Sequence, residues 1–319
     1  MSRQNRIQLG QTGLMISRLV FGVLPMGPLQ ANLSPEQGGE LIRYAAERGV
    51  NLFDTAEMYG TYRHLHEGLK GFSGKVHIAS KTHATTAADA RKHVERALHE
   101  IDIEYLDIVH MHCARVADPF TERAEVLKEL LKLKAEGLLR HIGLSSHYIC
   151  AIEEAAKHPE IAVVHPLINS RGMGILDGSR EEMAAAIAGC AVAGKGVYAM
   201  KALAGGNFIS DARNKFRYVL GLEGVHGLAV GMLSKEEIDG NYALICEDRE
   251  DEVLWHKLEQ KRREIKIMEN FCKGCGACVP ACTNQGITIE DGKAKIRRED
   301  CILCGYCAAA CPDFIIRVV

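Results

Sequence analysis

The chain has 319 residues, 47% of them hydrophobic and 25% charged, with a formal charge of -2. That balance describes a soluble globular protein with one large core and room for an appendage, and it leaves no general electrostatic footprint for nucleic acid. The opening "MSRQNRIQLGQTGL" is polar, without the apolar stretch of a signal peptide, and the longest run of small and apolar residues, Met183 to Gly194, is too short to span a bilayer. A cytoplasmic protein with no nucleic-acid or membrane partner is the expectation.

In chain order, "RIQLGQTGLMIS" reads as a hairpin around a Gln-Thr-Gly turn, covering the floor of the domain that begins after it. From Leu19, short apolar runs alternate with amphipathic segments. The strand candidates are "LVFGV", "NLFDTA", "VHIASKT", "YLDIVHMH", "HIGLSSH", "AVVHPLIN", "GVYAMKAL" and "GLAVGM". Helix-like stretches between them include Ser34–Arg48, Ala87–His99, Glu122–Glu136 and Arg180–Ala193. "SPEQ" at Ser34 supplies an N-cap, a proline at the first helical position and a glutamine three after the cap. Eight β-then-α units imply an α/β fold of the (β/α)8 TIM-barrel kind. A doubly wound sheet is the competitor, but "FGVLPMGPLQ" after the first strand is not the glycine-rich turn it normally carries.

The barrel is expected over residues 1–246. "DREDEVLWHKLEQKRREIKI" then reads as a charged helical linker, residues 247–268, with acids at its start and bases at its end, as the helix dipole favours. The remaining 269–319 is short, weakly apolar and rich in cysteine, so it needs a staple to fold. Its hairpin "ITIEDGKAKI" turns at Asp-Gly.

Eight of the twelve cysteines lie between Cys272 and Cys311 in two CxxCxxCxxxC runs, a spacing that argues for metal rather than disulfides in a cytosolic chain. Two zinc sites are the alternative use of eight thiolates. The order resembles the two-cluster bacterial ferredoxins. The resemblance implies one [4Fe-4S] cluster on Cys272, Cys275, Cys278 and Cys311, and a second on Cys301, Cys304, Cys307 and Cys282, within a small α+β domain. Thr283 stands where a proline is usual in that family.

Ionisable residues recur at successive strand ends: Asp54, Lys81 and His112, with Tyr59 in the loop after Asp54. Barrel sites are built at these ends, so the four should converge. A lysine ammonium beside a tyrosine favours its phenolate and lowers its pKa, an aspartate holds the lysine in place, and a histidine orients a carbonyl oxygen. On these residues, and on "NLFDTAEMYG", "ASKT", "YLDIVHMH" and "GLSSH", residues 6–242 resemble the aldo-keto reductase superfamily, in its iron-sulfur branch. The resemblance implies NADPH or NADH as cofactor and a small carbonyl or alcohol as substrate. It makes Tyr59 the general acid, Lys81 and Asp54 its tuners, and His112 the orienting group. It further implies dinucleotide contacts from Ser145, Ser146, Asn169, Lys201, Gly231 and Asn241.

In "VGMLSKEEIDGN" Leu233, Ser234 and Glu237 depart from the family's adenosine-end residues, which weakens NADPH preference, although Lys235 stands close by. The long C-terminal loop that shapes relatives' pockets is missing, so the tail or a partner is expected to supply that wall. Three functions remain open. The first is a reductase or dehydrogenase whose clusters exchange electrons with a ferredoxin or flavoprotein. The second is an ordinary carbonyl reductase with structural clusters. The third is an electron-carrier subunit with a degenerate barrel.

Overall fold

The computed structural model describes residues 6–319; the polar residues 1–5, on which the signal-peptide reading partly rests, lie outside the described residues. Strands β1 (Arg6–Gln8) and β2 (Met15–Ser17) form the expected antiparallel hairpin. Eight further strands come after it: β3 (Leu19–Gly22), β4 (Leu52–Asp54), β5 (His77–Thr82), β6 (Leu106–Cys113), β7 (Leu139–Ser146), β8 (Ile161–Pro166), β9 (Gly196–Ala199) and β10 (Gly227–Gly231). They pair in parallel and in sequence order, and β10 returns to β3 to close the barrel. All eight coincide with the apolar runs picked out in the sequence.

The hairpin plugs the barrel's N-terminal end. Leu9, Leu14 and Ile16 pack on the inward-facing Val20, Leu52, Ala79, Ile108, Val163 and Tyr198. Side chains, not solvent, fill the barrel, so polar groups placed inside must find partners there.

Outside the strands, α1 (Pro35–Arg48) begins at Ser34 with the full capping box to Gln37 and ends at Gly49, whose φ of 111° lies in the left-handed region. The other helices are α2 (Tyr62–Leu69), α3 (Ala87–Ile101), α4 (Pro119–Glu122), α5 (Ala124–Ala135), α6 (Ile149–Lys157), α7 (Arg180–Val192), α8 (Ala212–Leu220), α9 (Lys235–Glu247) and α10 (Glu252–Glu259).

The segment after Glu247 departs from the expected charged linker. Helix α10 is only eight residues long and belongs to the barrel. Trp255, 2% exposed, packs edge-on against Phe216 of α8, a burial that contributes about 2 kcal/mol. The acids face Arg213, which reaches Glu250 at 2.8 Å and Glu259 at 3.0 Å. Three of the acids, Glu250, Glu252 and Glu259, thus pair with a neighbouring helix, while most other charges of the segment stay exposed. Residues 265–268 are not helical either, because β11 (Ile265–Ile267) pairs antiparallel with β14 (Ile316–Val318) and begins the small domain.

Between those strands lie α11 (Cys278–Ala281), the hairpin β12 (Ile287–Glu290) and β13 (Lys293–Ile296), and α12 (Tyr306–Ala309). The hairpin turns at Asp291 and Gly292, both at positive φ, as a two-residue Asp-Gly turn requires. No helix among the described residues is long and apolar enough to cross a membrane.

Candidate functional site

At the C-terminal end of the barrel, β4 delivers Asp54 and β5 delivers Lys81, both almost fully buried. The Lys81 ammonium donates to Asp54 Oδ1 and, at 2.8 Å, to the Thr55 carbonyl. Burial pulls the Lys81 pKa down and the Asp54 carboxylate opposes that shift. The lysine sits 5.2 Å from the centre of the Tyr59 ring, and the His112 ring meets the same tyrosine edge-on at 6.1 Å. The four residues expected to converge do so.

Two electrostatic results differ from simple expectation. Burial, then Tyr306 and Asp54, push the Tyr59 pKa well above the usual phenol range, so the neighbouring lysine does not make it a ready phenolate. His112 is driven well below the imidazole range by burial and then by Lys81, so it is neutral. A protonated phenol beside a neutral imidazole is a donor set for a carbonyl oxygen.

Sequence reasoning missed the layer beneath. The Tyr198 hydroxyl on β9 donates to Asp54 Oδ2 at 2.7 Å and meets His110 Nε2 at 2.6 Å. His165 Nδ1 lies 2.7 Å from the Tyr198 carbonyl. His110 and His112 stand two apart on β6 and therefore share its inward face. An inward tyrosine within the apolar "GVYA" run was the only signal for this layer.

A cleft leads from Asp54, Tyr59 and His165 past Met200, Lys201 and Gly205 to Gly231, Glu237 and Asn241. Of the expected dinucleotide contacts, Lys201, Gly231 and Asn241 line it. Ser145 is level with His112 on β6 and His165 on β8, and its buried Oγ has no hydrogen-bond partner among the described residues. The other two are committed elsewhere. Ser146 Oγ donates to the Cys113 carbonyl and accepts from Tyr148 N–H. The Asn169 amide donates to the Met173 carbonyl and accepts from Arg171 and Met173, so it serves its own loop.

Lys235 lies over the Tyr44 ring, and the cleft's cations from the segment after α10 are Lys261, beside Glu237, and Arg263, beside the Gly205 carbonyl. Lys261 donates to Glu237 at 2.6 Å. An unpartnered buried hydroxyl and a cation-bearing cleft fit a dinucleotide's amide and phosphates.

The thiols of the small domain fit two clusters. Cys272, Cys275, Cys278 and Cys311 line one cavity. The Cys307 thiol is raised by burial and then by Cys304, Cys301 and Cys282, the second interleaved set. Backbone N–H groups of Ala294 and Gly286 point at Cys272 and Cys282 sulfurs, at 3.3 and 3.2 Å, as cluster thiolates require. Of the four remaining cysteines, Cys113 and Cys190 are buried, Cys246 is partly so, and Cys150 is exposed.

The second set abuts the barrel. Gln30 donates to the Cys304 carbonyl at 3.3 Å, Asn207 to Cys301 at 2.8 Å and Arg115 to Cys282 at 2.8 Å. A Cβ on Gly205 would overlap the Ile302 carbonyl, and one on Gly305 would overlap that of Leu29. Tyr306, between Cys304 and Cys307, packs against the cluster of Leu29, Ala56 and Tyr59, and its phenol is an electrostatic neighbour of the Tyr59 phenol. The tail thus abuts the catalytic end of the barrel through Tyr306.

A buried Asp-Lys-Tyr-His group at the mouth of a closed parallel barrel, roofed by a thiol-rich domain, defines an oxidoreductase-like barrel fused to an iron-sulfur module. The aldo/keto reductase family profile matches residues 18–273, and a 4Fe-4S dicluster profile matches residues 271–315. The chain belongs to the aldo/keto reductase family and carries a C-terminal 4Fe-4S dicluster domain.

Among curated relatives, L-galactose dehydrogenase of Arabidopsis thaliana is 30% identical over 43% of this chain and 47% of its own length. A Glycine max protein named probable aldo-keto reductase 1 is 30% identical over 49% of each chain. The chain therefore spans about half the length of these relatives. Among solved structures, a Pseudomonas aeruginosa protein assigned to the aldo-keto reductases superposes with a TM-score of 0.66 at 28% identity, over 76% of this chain and 95% of that one. The aldo-keto reductase AKR11C1 of Bacillus halodurans gives 0.64 at 20% identity, over 81% and 95%, a likeness of fold.

Proposed function

We propose that the chain is a nicotinamide-dependent oxidoreductase that interconverts a small carbonyl compound and its alcohol. The convergence of Asp54, Tyr59, Lys81 and His112 at one end of a cleft that continues to Gly231 and Asn241 carries this reading. NADH or NADPH would lie along that cleft, held by Lys201, Gly231, Asn241 and the Ser145 hydroxyl, and would supply the hydride for the carbonyl carbon. Tyr59, kept protonated by its burial, gives the carbonyl oxygen its proton. His112, neutral, orients that oxygen, and Lys81 is fixed under the Tyr59 ring by Asp54. In balance, the carbonyl and one proton take up a hydride to give the alcohol.

The eight cysteines would hold two [4Fe-4S] clusters in the interleaved sets, and these would supply one-electron exchange with a ferredoxin or flavoprotein. A purely structural role for the clusters is the second reading. It draws support from the contacts by which the Cys301–Tyr306 loop walls the site. The intact set of four catalytic side chains speaks against a degenerate electron-carrier barrel.

An anaerobic titration of the cluster-loaded protein with NADH and then NADPH tests the proposal, following nicotinamide absorbance and cluster bleaching with and without a carbonyl panel. Carbonyl-dependent oxidation of the nicotinamide, reduced about 10²- to 10⁴-fold in Tyr59→Phe, is the expected result. Equal turnover in the variant would refute the assignment of Tyr59. Clusters that stay oxidised towards every donor would transfer support to the structural reading.

A further inference from the structure

We propose that Tyr306 decides which carbonyls the barrel accepts: its hydroxyl stands where a substrate oxygen must sit to receive the Tyr59 proton, and its ring closes the pocket to bulky groups. This rests on the carbonyl-reducing reading above. A general acid transfers its proton only across hydrogen-bond reach, about 2.6–3.2 Å between heavy atoms. Tyr306 packs against Tyr59, and its phenol is the polar neighbour that Tyr59 meets on that side. A substrate oxygen therefore enters by displacing that phenol from beside Tyr59.

The ring is not free to swing clear. Gly305, at φ 86°, turns the chain so that Tyr306 points at the barrel, and the Leu29 carbonyl leaves no room for a side chain there. The preceding residues are tied to Gln30 and Asn207 and wedged on Gly205. The Tyr306 side chain packs on two apolar clusters, one of Leu29, Ala56 and Tyr59 and one of Leu167, Ile302 and Cys304. The hydroxyl contact can yield while the ring remains as a wall, so the native substrates are small aliphatic aldehydes or ketones. Because the space the ring fills is apolar, removing it creates a slot for an aryl group.

The test compares cluster-loaded wild type with Tyr306→Phe and Tyr306→Ala, each checked for iron content, on a short aliphatic aldehyde and an aryl aldehyde. Tyr306→Phe loses the competing hydroxyl and keeps the wall. Its KM for the aliphatic aldehyde is expected to fall about fivefold, the factor given by one neutral hydrogen bond, with size preference unchanged. Tyr306→Ala is expected to raise the aryl-to-aliphatic ratio of kcat/KM by about tenfold or more.

A second readout does not depend on turnover. Tyr306 lies between Cys304 and Cys307, so adding the alcohol product should alter the EPR spectrum of the dithionite-reduced clusters in wild type but not in Tyr306→Ala. Unchanged KM, unchanged size preference and an unresponsive spectrum in proteins with full clusters overturn the proposal. If wild type reduces nothing but Tyr306→Ala does, the stopper is upheld in a stronger form. If neither protein reduces any carbonyl, the carbonyl-reducing reading itself has failed.

Discussion

The Tyr198 hydroxyl donates to Asp54 Oδ2 at 2.7 Å across 144 residues of chain. Its proton is thereby spent on the carboxylate, so the 2.6 Å contact with His110 Nε2 requires that nitrogen to carry the hydrogen. The tautomer is thereby set: His110 Nδ1 is the bare nitrogen, and it is unpartnered among the described residues. Burial, reinforced by His165 and Lys81, holds this ring well below the imidazole range. Asp54 is thus fixed from two sides, by Lys81 above and Tyr198 below.

Replacing Tyr198 with phenylalanine keeps the ring and deletes that lower tie. It leaves an acceptor on Asp54 and a donor on His110 without partners, at a cost of about 1–3 kcal/mol. Urea unfolding should register the loss. Turnover should fall roughly tenfold, the equivalent of 1.4 kcal/mol at the transition state, with nicotinamide affinity unchanged. A variant as stable and active as wild type would show that Asp54 needs no support from below.

The elevated Tyr59 pKa has a direct kinetic consequence. A general acid works while protonated, so carbonyl reduction should hold level as pH rises and decline only through the folded pKa. Burial and the Tyr306 and Asp54 neighbours place that decline above the ordinary phenol value of about 10. A profile of kcat/KM against pH, on cluster-loaded protein, checks this. A basic limb near neutrality would mean that a different group supplies the proton.

Gly205 has φ 73° and lies against the Ile302 carbonyl. Gly205→Ala adds a left-handed strain of about 1–2 kcal/mol and drives a methyl group into the cluster loop. The expected result is a small domain that detaches more readily, read as faster proteolysis after Glu259 and faster loss of iron to a chelator. Proteolysis and chelation at wild-type rates would show that this contact is dispensable.

Lys261 pairs with Glu237 at the end of the cleft where the two nicotinamide cofactors would differ by a phosphate. Lys261→Ala leaves that carboxylate without its cation. Repulsion should then raise KM for NADPH at least fivefold more than KM for NADH, a difference of about 1 kcal/mol. Equal changes for both cofactors would move the adenosine end elsewhere.

The barrel was legible because its signals are local. Strand runs, the Ser34 capping box and the Asp-Gly hairpin each sit within a few residues of sequence. The Asp54, Tyr59, Lys81 and His112 group was legible because strand ends gather on one face. Tyr198 was not, since a polar atom inside an apolar strand acquires meaning only when a strand distant in sequence places Asp54 beside it. The segment after Glu247 misled for the same reason: it read as a linker because Arg213, which pairs three of its acids, comes from another helix. Nothing in "CGYC" announced that its tyrosine would leave the cluster domain and enter the barrel. Ser146 and Asn169 carry the right chemistry, but neighbouring backbone groups claim it.

Gly205 and Gly305 bear on how such a chain can be cut and recombined. A contact without room for one methyl group on either side was fitted in place, and it cannot be swapped as a cassette. A barrel severed from its tail would expose Leu29, Leu167 and Met200 to water and should precipitate rather than behave as a minimal enzyme. A foreign ferredoxin grafted after Glu259 would need its own glycine, and a side chain like Tyr306, at matching positions. The join looks like a tether in the sequence, yet the two parts fit only as a matched pair.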